Sequence, residues 1–309
     1  MKRITIITLT LLIFCTSCQK EKVTNFPDYD KNWFVLEDNP SDPADHAAYL
    51  FYKEYGIPVF YNDTIGVQER VDVWGHKYTH YELLSLNYSM GGMASSTSSP
   101  TISSLTYCSK QSAPSAIRYL KENIMPLIPS AIHIHSILLV ESMNSQSFGN
   151  YAFKGLNTLV ISSASQLPTM TDAQKKKFNG AVLRAALSDY IINQGHFDTE
   201  LNKFYKVSSD LCPTKNIYGL NTYYLNSTNI TGLPANVPIN INTVGFLSTD
   251  PSSYYSTPKS TWMDVNMYLE TVLSDTQADF ISHYGTFDNI MTKYAIIKSI
   301  LEKIGLNLK

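Results

Sequence analysis

The sequence predicts an α+β fold, in which helices are separated by scattered short strands. Two observations support this prediction. Several stretches repeat apolar residues at helical spacing, and short apolar runs bounded by turn residues lie between them. The chain has 309 residues, of which 44% are hydrophobic, and this composition is ordinary for a globular protein with a substantial core.

The clearest helix signal follows Thr171. The sequence Thr171-Asp172-Ala173-Gln174 fits a capping box, and apolar residues then recur at helical spacing until Gly195, which favours a left-handed stop. Helical spacing also predicts helices over residues 43–55, 115–125, 262–273 and 287–304. Strands are predicted over residues 57–61, 132–140 and 159–162, and a Gly/Ser/Thr-rich loop over residues 91–104.

The N-terminus has the pattern of an export signal. Lys2 and Arg3 precede a mainly apolar run over residues 4–14, which is shorter than the roughly 20 residues that a membrane span needs. Small residues stand directly before Cys18, which resembles the bacterial lipoprotein pattern, although Cys15 occupies a place usually held by an aliphatic residue. The alternative is an ordinary secretory signal that is cleaved near Ser17.

These features predict three segments: a signal peptide over residues 1–17, a lipidated Cys18 with a polar tether over residues 18–40, and a single domain over residues 41–309. Lipidation of Cys18 predicts a membrane-anchored protein outside the cytoplasm, and we expect it at the outer membrane, facing the cell surface or the periplasm. The pair Lys20-Glu21 partly resembles a short charged signal for export to the surface.

Charge and cysteine content exclude some classes of function. The formal net charge of −2 becomes −4 once Lys2 and Arg3 are removed, and the absence of a basic tract argues against nucleic acid as a partner. Only Cys108 and Cys212 follow the predicted lipidation site, and the sequence leaves open whether they pair or serve as small buried hydrophobic residues. The chain has no CxxC, so it offers no thiolate zinc motif.

The histidines provide no standard zinc motif, because the chain contains no HExxH. His76 and His80 are four residues apart, but Lys77 follows the first, so surface or packing roles are favoured. His133 and His135 alternate within a predicted strand and would share one face, yet no third ligand is obvious nearby, so a structural role is favoured for them as well. Three further histidines are isolated in the sequence, namely His46, His196 and His283.

Other catalytic devices are also missing from the sequence, since no GxSxG, GxxxxGK[ST] or GxGxxG occurs. The acid pairs Asp42/Asp45 and Asp275/Asp279 have helical spacing, which is typical of solvated carboxylates. Aromatic residues offer one binding interpretation, an exposed platform for glycans, although most aromatics serve cores. The candidate platform consists of Tyr218, Tyr223, Tyr224, Tyr254 and Tyr255.

Two regions resemble a known family, the substrate-import-associated zinc metallohydrolase lipoproteins of Gram-negative bacteria. The first is residues 45–63, with Phe51-Tyr52 and Gly56-Ile57-Pro58. The second runs from Gly245-Phe246 and a Ser-rich loop through a helix with Asp264 to a closing segment with Lys293-Tyr294. The resemblance covers most of the chain in order, and it implies a zincin-like domain with a mixed sheet packed on helices.

The resemblance also implies where the zinc motif should lie, and the motif is missing there. In that family the capped central helix carries HExxH and then His-Gln, whose place Asn193-Gln194 takes here. Counting back places Ala186, Leu187 and Tyr190 at the first histidine, the glutamate and the second histidine. Leucine cannot act as a base, and a neutral phenol is a poor zinc ligand.

The sequence therefore predicts no catalytic residue, no metal ligand and no cofactor. It predicts a catalytically degenerate lipoprotein with a binding or assembly role, next to an outer-membrane importer of glycans or other nutrients, with a glycan or a peptide as ligand. One alternative is an active metal-dependent hydrolase with a non-standard site that uses His133 and His135. The other is a carbohydrate-binding surface lipoprotein that never descended from an enzyme.

Overall fold

The structure is a computed structural model that describes residues 31–84, 86, 102–145, 149–232 and 239–306. The predicted signal peptide, Cys18 and most of the loop predicted over residues 91–104 lie outside the described residues. The chain divides into two compact units. The described part of one unit holds residues 31–32 and 69–80, and the other unit comprises residues 33–68 and everything after residue 80.

The described residues form a mixed sheet together with helices. The strands are β1 (Val59–Phe60), β2 (Thr64–Val71), β3 (Lys77–Leu83), β4 (Ile102–Tyr107), β5 (Ser136–Ser145), β6 (Ala152–Lys154) and β7 (Thr158–Ile161). The helices are α1 (Pro43–Tyr55), α2 (Ala113–Tyr119), α3 (Asp172–Ile192), α4 (Asp198–Ser209), α5 (Thr261–Ser274), α6 (Gln277–Tyr284) and α7 (Asp288–Lys303). No helix within these described ranges is long and apolar enough to cross a membrane.

Strand β5 is the centre of the larger sheet. It pairs in parallel with β1 and β7, while β4 pairs antiparallel with its second half and β6 pairs antiparallel with β7. Ile137 and Leu139 pack into the main core on one face, whereas Leu138 and Val140 pack into a second cluster on the other. Because both faces are covered, the strand is a continuous apolar run rather than an alternating one.

The sequence placed this central strand too early. It was predicted over residues 132–140, but the ladder begins at Ser136 and continues to Ser145. Residues 132–135 precede the first ladder bond, which the amide of Ile137 donates to the carbonyl of Pro58. Ile132 and Ile134 are nevertheless buried, so the alternation there is real although no strand partner is present among the described residues.

Local signals predicted the ends of α1 and α3 well, whereas the helix predicted over residues 115–125 is an α-helix over Ala113–Tyr119 that continues as a π-helix over Leu120–Ile124. Thr171 and Gln174 form both bonds of the capping box before α3, as predicted. The helix ends at Ile192, and Gly195 follows with φ +75°. Gly56 likewise ends α1 in the left-handed region. In contrast, α4, α6, β2, β3, β4 and β6 were not predicted.

The last part of the predicted tether packs on the folded body. Phe34 meets Phe60 edge-on, with ring centroids 5.8 Å apart, and it also lies 4.9 Å from the ring of His135. Leu36 packs against the core as well. This part of residues 18–40 therefore does not extend away as a polar linker, because its apolar side chains have a surface to bury against.

The two remaining cysteines do not pair. Cys108 lies in the main core, and Cys212 lies in a third apolar cluster with Ile217, Leu225, Ile230, Val244 and Phe246. Burial raises the pKa of the Cys108 thiol to about 12. Of the two interpretations left open by the sequence, the structure supports small buried hydrophobic residues.

Helices α3 and α5 pack closely and antiparallel. A Cβ on Gly180 would lie 2.0 Å from Oγ of Ser274 and 3.0 Å from the carbonyl oxygen of Glu270, so only glycine fits at this crossing. One turn further, the buried Arg184 donates from Nε to Glu270 at 3.0 Å and from Nη2 to the carbonyl of Ala152 at 3.0 Å. The guanidinium thus connects α3 with both α5 and β6.

We predict that Gly180→Ala destabilises the protein by about 1–2 kcal/mol, because overpacking exceeds the gain in helix propensity. Adding Ser274→Ala removes the closest clashing atom and recovers part of that loss, because the carbonyl oxygen of Glu270 still lies 3.0 Å from the new Cβ. Ser274→Ala alone is the control and has a small effect. Urea unfolding followed by circular dichroism measures all three variants. A Gly180→Ala variant as stable as the parent would show that the helices separate freely.

Candidate functional site

The three helix positions that correspond to the zinc motif do not provide metal ligands. Ala186 and Leu187 are buried in the main core. The ring of Tyr190 lies against that of His196, with centroids 4.8 Å apart, and close to the buried Phe197. The methyl of Ala186 and the isobutyl group of Leu187 have no lone pair to donate, and the neutral phenol of Tyr190 is a poor zinc ligand, so residues 186, 187 and 190 do not fit a zinc ion.

The acid that the resemblance retains on the later helix is also engaged elsewhere. Asp264 on α5 is 1% exposed and pairs with Lys293 on α7, which is fully buried, with 2.7 Å between Oδ2 and Nζ. The phenol of Tyr218 donates to the same carboxylate oxygen at 3.0 Å. This carboxylate is therefore closed to solvent and neutralised by a cation, and a substrate cannot reach it.

Aromatic rings surround the Lys293 ammonium. Its Nζ lies 4.6 Å from the ring centre of Phe204, 4.5 Å from that of Phe246 and 5.7 Å from that of Tyr268. Tyr268 in turn donates its hydroxyl to the carbonyl of Gly245 at 2.9 Å. Cation–π attraction in this desolvated setting partly replaces the water that the ammonium loses.

Burial and pairing act on this cluster in opposite directions. Burial raises the pKa of Asp264 and lowers the pKa of Lys293, while their mutual attraction opposes both shifts. Burial first, and then the Asp264 charge, raise the pKa of Tyr205 to about 12 and that of Tyr218 further. A phenol with a raised pKa remains a hydrogen-bond donor, which suits the role of Tyr218 toward the carboxylate.

Two oxygen atoms of this region have no hydrogen-bond partner among the described residues. They are Oδ1 of Asp264 and Oδ1 of Asn266, and both are buried. Asn266 does donate from Nδ2 to the carbonyl of Trp262. Leaving buried acceptors unsatisfied costs free energy, so this cluster carries a local penalty that surrounding packing must offset.

The histidine pair does not develop into a metal site. The rings of His133 and His135 lie 6.3 Å apart and are exposed, and both project from the same side of an extended segment, as the alternation predicted. Glu141 instead accepts a hydrogen bond from the amide of Ser165. Across the described ranges, no group of three or more His, Cys, Asp or Glu residues is arranged to hold a metal ion.

The other histidines have separate local contacts. In the β2–β3 turn, Nδ1 of His76 lies 3.2 Å from Asp72. Nδ1 of His46 lies 2.7 Å from Asp38, and Nδ1 of His283 lies 2.8 Å from the carbonyl of its own helix neighbour Asp279. The structure thus brings only His133 and His135 together, and each of these three histidines has an ordinary surface contact.

The acid pairs mainly cap helices. Asp42 accepts from the first amides of α1, and its pKa is lowered by the hydrogen bond from Lys110 and by those amides. Asp279 completes the capping box with Thr276 at the start of α6. Burial, and then the neighbouring Asp279 charge, raise the pKa of Asp275. These contacts give the carboxylates structural roles.

The tyrosine platform is the candidate that the structure places at the surface. Tyr223, Tyr224, Tyr254 and Tyr255 are 80%, 44%, 79% and 69% exposed. We call these four residues the tyrosine surface. Tyr218 does not belong to it, because it is partly buried and bonded to Asp264, and this corrects the prediction from sequence.

Two neighbouring turns carry the tyrosine surface. The amide of Thr222 donates to the carbonyl of Tyr255 at 2.8 Å, and Asn221 and Ser256 form an isolated β-bridge. The rings of Tyr223 and Tyr224 are 5.5 Å apart and nearly perpendicular, and those of Tyr254 and Tyr255 repeat this arrangement at 5.6 Å. Each turn therefore presents two rings in different orientations.

Comparison with protein-family models, with curated proteins and with solved structures found no match to this chain. The interpretation of the site therefore rests on its own geometry. That geometry consists of a closed, neutralised carboxylate in the core and four solvent-exposed tyrosines on paired turns.

We predict that Lys293→Met destabilises the protein by about 3–5 kcal/mol, because Asp264 then loses its partner while buried. Lys293→Met combined with Asp264→Leu restores much of that loss, since no unpaired charge remains. The control is Lys303→Met, which removes an exposed pair with Glu200 and hardly changes the unfolding midpoint. Urea denaturation measures all three. If the double variant were less stable than Lys293→Met, the unpaired charge of Asp264 would not be the cause of the loss.

Proposed function

We propose that this chain is a cell-envelope lipoprotein anchored through Cys18, and a catalytically degenerate relative of the zinc metallohydrolase lipoproteins associated with substrate import. Its role is binding or assembly beside an outer-membrane importer of glycans or other nutrients. The observation that carries the proposal is the Asp264–Lys293 pair: the one acid retained from the family's site is used inside the core.

A hydrolytic zinc site requires ligands that hold the metal and a base that activates water. Residues 186 and 187 provide neither, and both are packed in the main core. Restoring the site would need histidine and glutamate side chains where Leu187 is fully buried, which would place polar groups against apolar neighbours. The burial of Ala186 and Leu187 therefore supports the proposal that this chain does not catalyse zinc-dependent hydrolysis.

The alternative of an active hydrolase with a non-standard site has one supporting observation, the shared face of His133 and His135. Two imidazoles alone leave a zinc ion two protein ligands short of a structural site and one short of a catalytic site. His135 also contacts the ring of Phe34. The degenerate interpretation is therefore the better supported of the two.

The proposed function predicts that the protein does not hold zinc. Protein purified without chelator, incubated with zinc and desalted should contain close to no zinc by mass spectrometry, because residues 186, 187 and 190 offer no ligand set. Casein hydrolysis measured on the same sample should equal the buffer rate. The double variant His133→Ala/His135→Ala is the matched control and should give the same values. One tightly held zinc per chain that disappears in the double variant would contradict the proposal.

The second prediction concerns the anchor. Cys18→Ser should release the protein from the membrane fraction into the soluble extract, because the acyl chains attach to that thiol. Metabolic labelling with a fatty-acid analogue should mark the parent and not the variant. Cys108→Ser is the control, since this buried thiol lies 90 positions after Cys18 in the sequence. Equal membrane association of parent and Cys18→Ser would refute lipid anchoring at this residue.

A further inference from the structure

We propose that the tyrosine surface is a stacking site for a neutral polysaccharide chain. This inference rests on the proposed function, because it names the ligand that a non-catalytic envelope protein would bind. It assigns a chemical class of ligand to four named residues, Tyr223, Tyr224, Tyr254 and Tyr255.

The four rings of the tyrosine surface are exposed to solvent. Tyrosine rings usually bury most of their apolar area, yet three of these four are more than two-thirds exposed. They also come in two adjacent pairs on two hydrogen-bonded turns, so they are clustered and not scattered singly over the surface. Such rings present flat apolar faces against which the C–H groups of a pyranose ring can pack, and a phenol hydroxyl can form a hydrogen bond with a sugar hydroxyl.

Hydrogen bonds make the two turns of the tyrosine surface rigid. Asp250 accepts hydrogen bonds from the amides of Ser252 and Lys259, which closes the turn that carries Tyr254 and Tyr255. The side chain of Asn221 accepts from the amide of Tyr223 and closes the other turn. A ligand that stacks on rings held by such turns loses little entropy in ordering the protein, so weak contacts add up to useful affinity.

Attachment of the turns to the core supports this rigidity. Leu225 and Ile230, which follow Tyr224 in the chain, are buried in the third apolar cluster. The buried hydroxyl of Thr257 donates to the carbonyl of Ile217 and accepts from the amide of Leu220. Both turns are therefore attached to the same small core, and this attachment holds the backbone of the four tyrosines in place.

The two turns carry few charged side chains, which favours a neutral ligand. Across residues 211–232 and 251–263, Lys215 and Lys259 are the only charged side chains in the sequence. The Lys215 ammonium already lies 5.0 Å from the ring centre of Tyr224, and that of Lys259 is hydrogen-bonded to Ser252 and lies 3.8 Å from buried Asp250. The remaining polar groups are amides and hydroxyls of Asn, Ser and Thr, which match the hydroxyl groups of a neutral sugar.

The test uses the full-length lipidated protein in detergent on native affinity gels. The gels contain soluble starch, barley β-glucan, arabinoxylan or galactomannan, and a parallel pair contains polygalacturonate or heparin. We expect at least one neutral polysaccharide to retard the protein. The quadruple variant in which all four tyrosines become alanine should lose that retardation, and Tyr254→Ala alone should weaken binding by about three- to tenfold, as expected for one stacked ring.

Two further variants separate stacking from damage to the fold. The quadruple change to phenylalanine keeps the rings and should keep most of the retardation. Tyr78→Ala/Tyr81→Ala removes two exposed tyrosines from β3 and should have no effect. Thermal unfolding of every variant shows that loss of binding is not loss of folding, and the four rings are exposed enough for the midpoints to remain close.

Three outcomes would overturn the inference. They are no retardation by any neutral polysaccharide, retardation that survives the four alanine changes, and retardation by the polyanions alone that Lys215→Met abolishes. The zinc measurement is independent of these gels. Binding that depends on the tyrosines in a protein that also holds zinc would keep the stacking site and refute the proposed function, so the two failures are distinguishable.

Discussion

The buried ion pair between Asp264 and Lys293 constrains the arrangement of the elements around it. A charged group in an apolar interior is tolerated only when a partner and further polar contacts replace the lost water. Here Tyr218 supplies a hydrogen bond to the carboxylate, and aromatic rings from α4, α5 and the Gly245-Phe246 segment enclose the ammonium. Because each contact comes from a different part of the chain, α5 and α7 cannot shift independently without leaving one charge unpaired.

Helix α3 obeys a second constraint, which is close packing. Its contact with α5 requires a glycine at position 180 and places the Arg184 guanidinium against Glu270. Under the proposed relationship, the same helix once had to present two histidines and a glutamate to a metal. A face cannot both present charged ligands to solvent and pack as core. Residues 186 and 187 pack as core, and the acid on α5 is paired with Lys293.

Features encoded by neighbouring residues could be predicted from the sequence, and features that join distant residues could not. The cap of α3 and the glycines that follow α1 and α3 were found because each signal lies within a few residues, whereas Asp42, the N-cap of α1, was interpreted as a solvated carboxylate. Lys293 and Asp264 are 29 positions apart, and no pattern marks them as partners. Tyr218 was grouped with the exposed tyrosines because the sequence does not distinguish a buried tyrosine from an exposed one. Its burial depends on the position of Asp264, which is distant in the chain. Strands β2 and β3 were missed since their exposed faces mix apolar and charged residues.

The turns that carry the tyrosine surface and the Asp264–Lys293 pair share the third apolar cluster. The tyrosine surface depends on two turns and on Leu225 and Ile230 of that cluster, and Phe246 of the same cluster has its ring centre 4.5 Å from the Lys293 ammonium. Exposed tyrosines add little to folding stability, because most of their area stays in water. A cluster of such rings on rigid turns is most economically explained by a ligand that covers them.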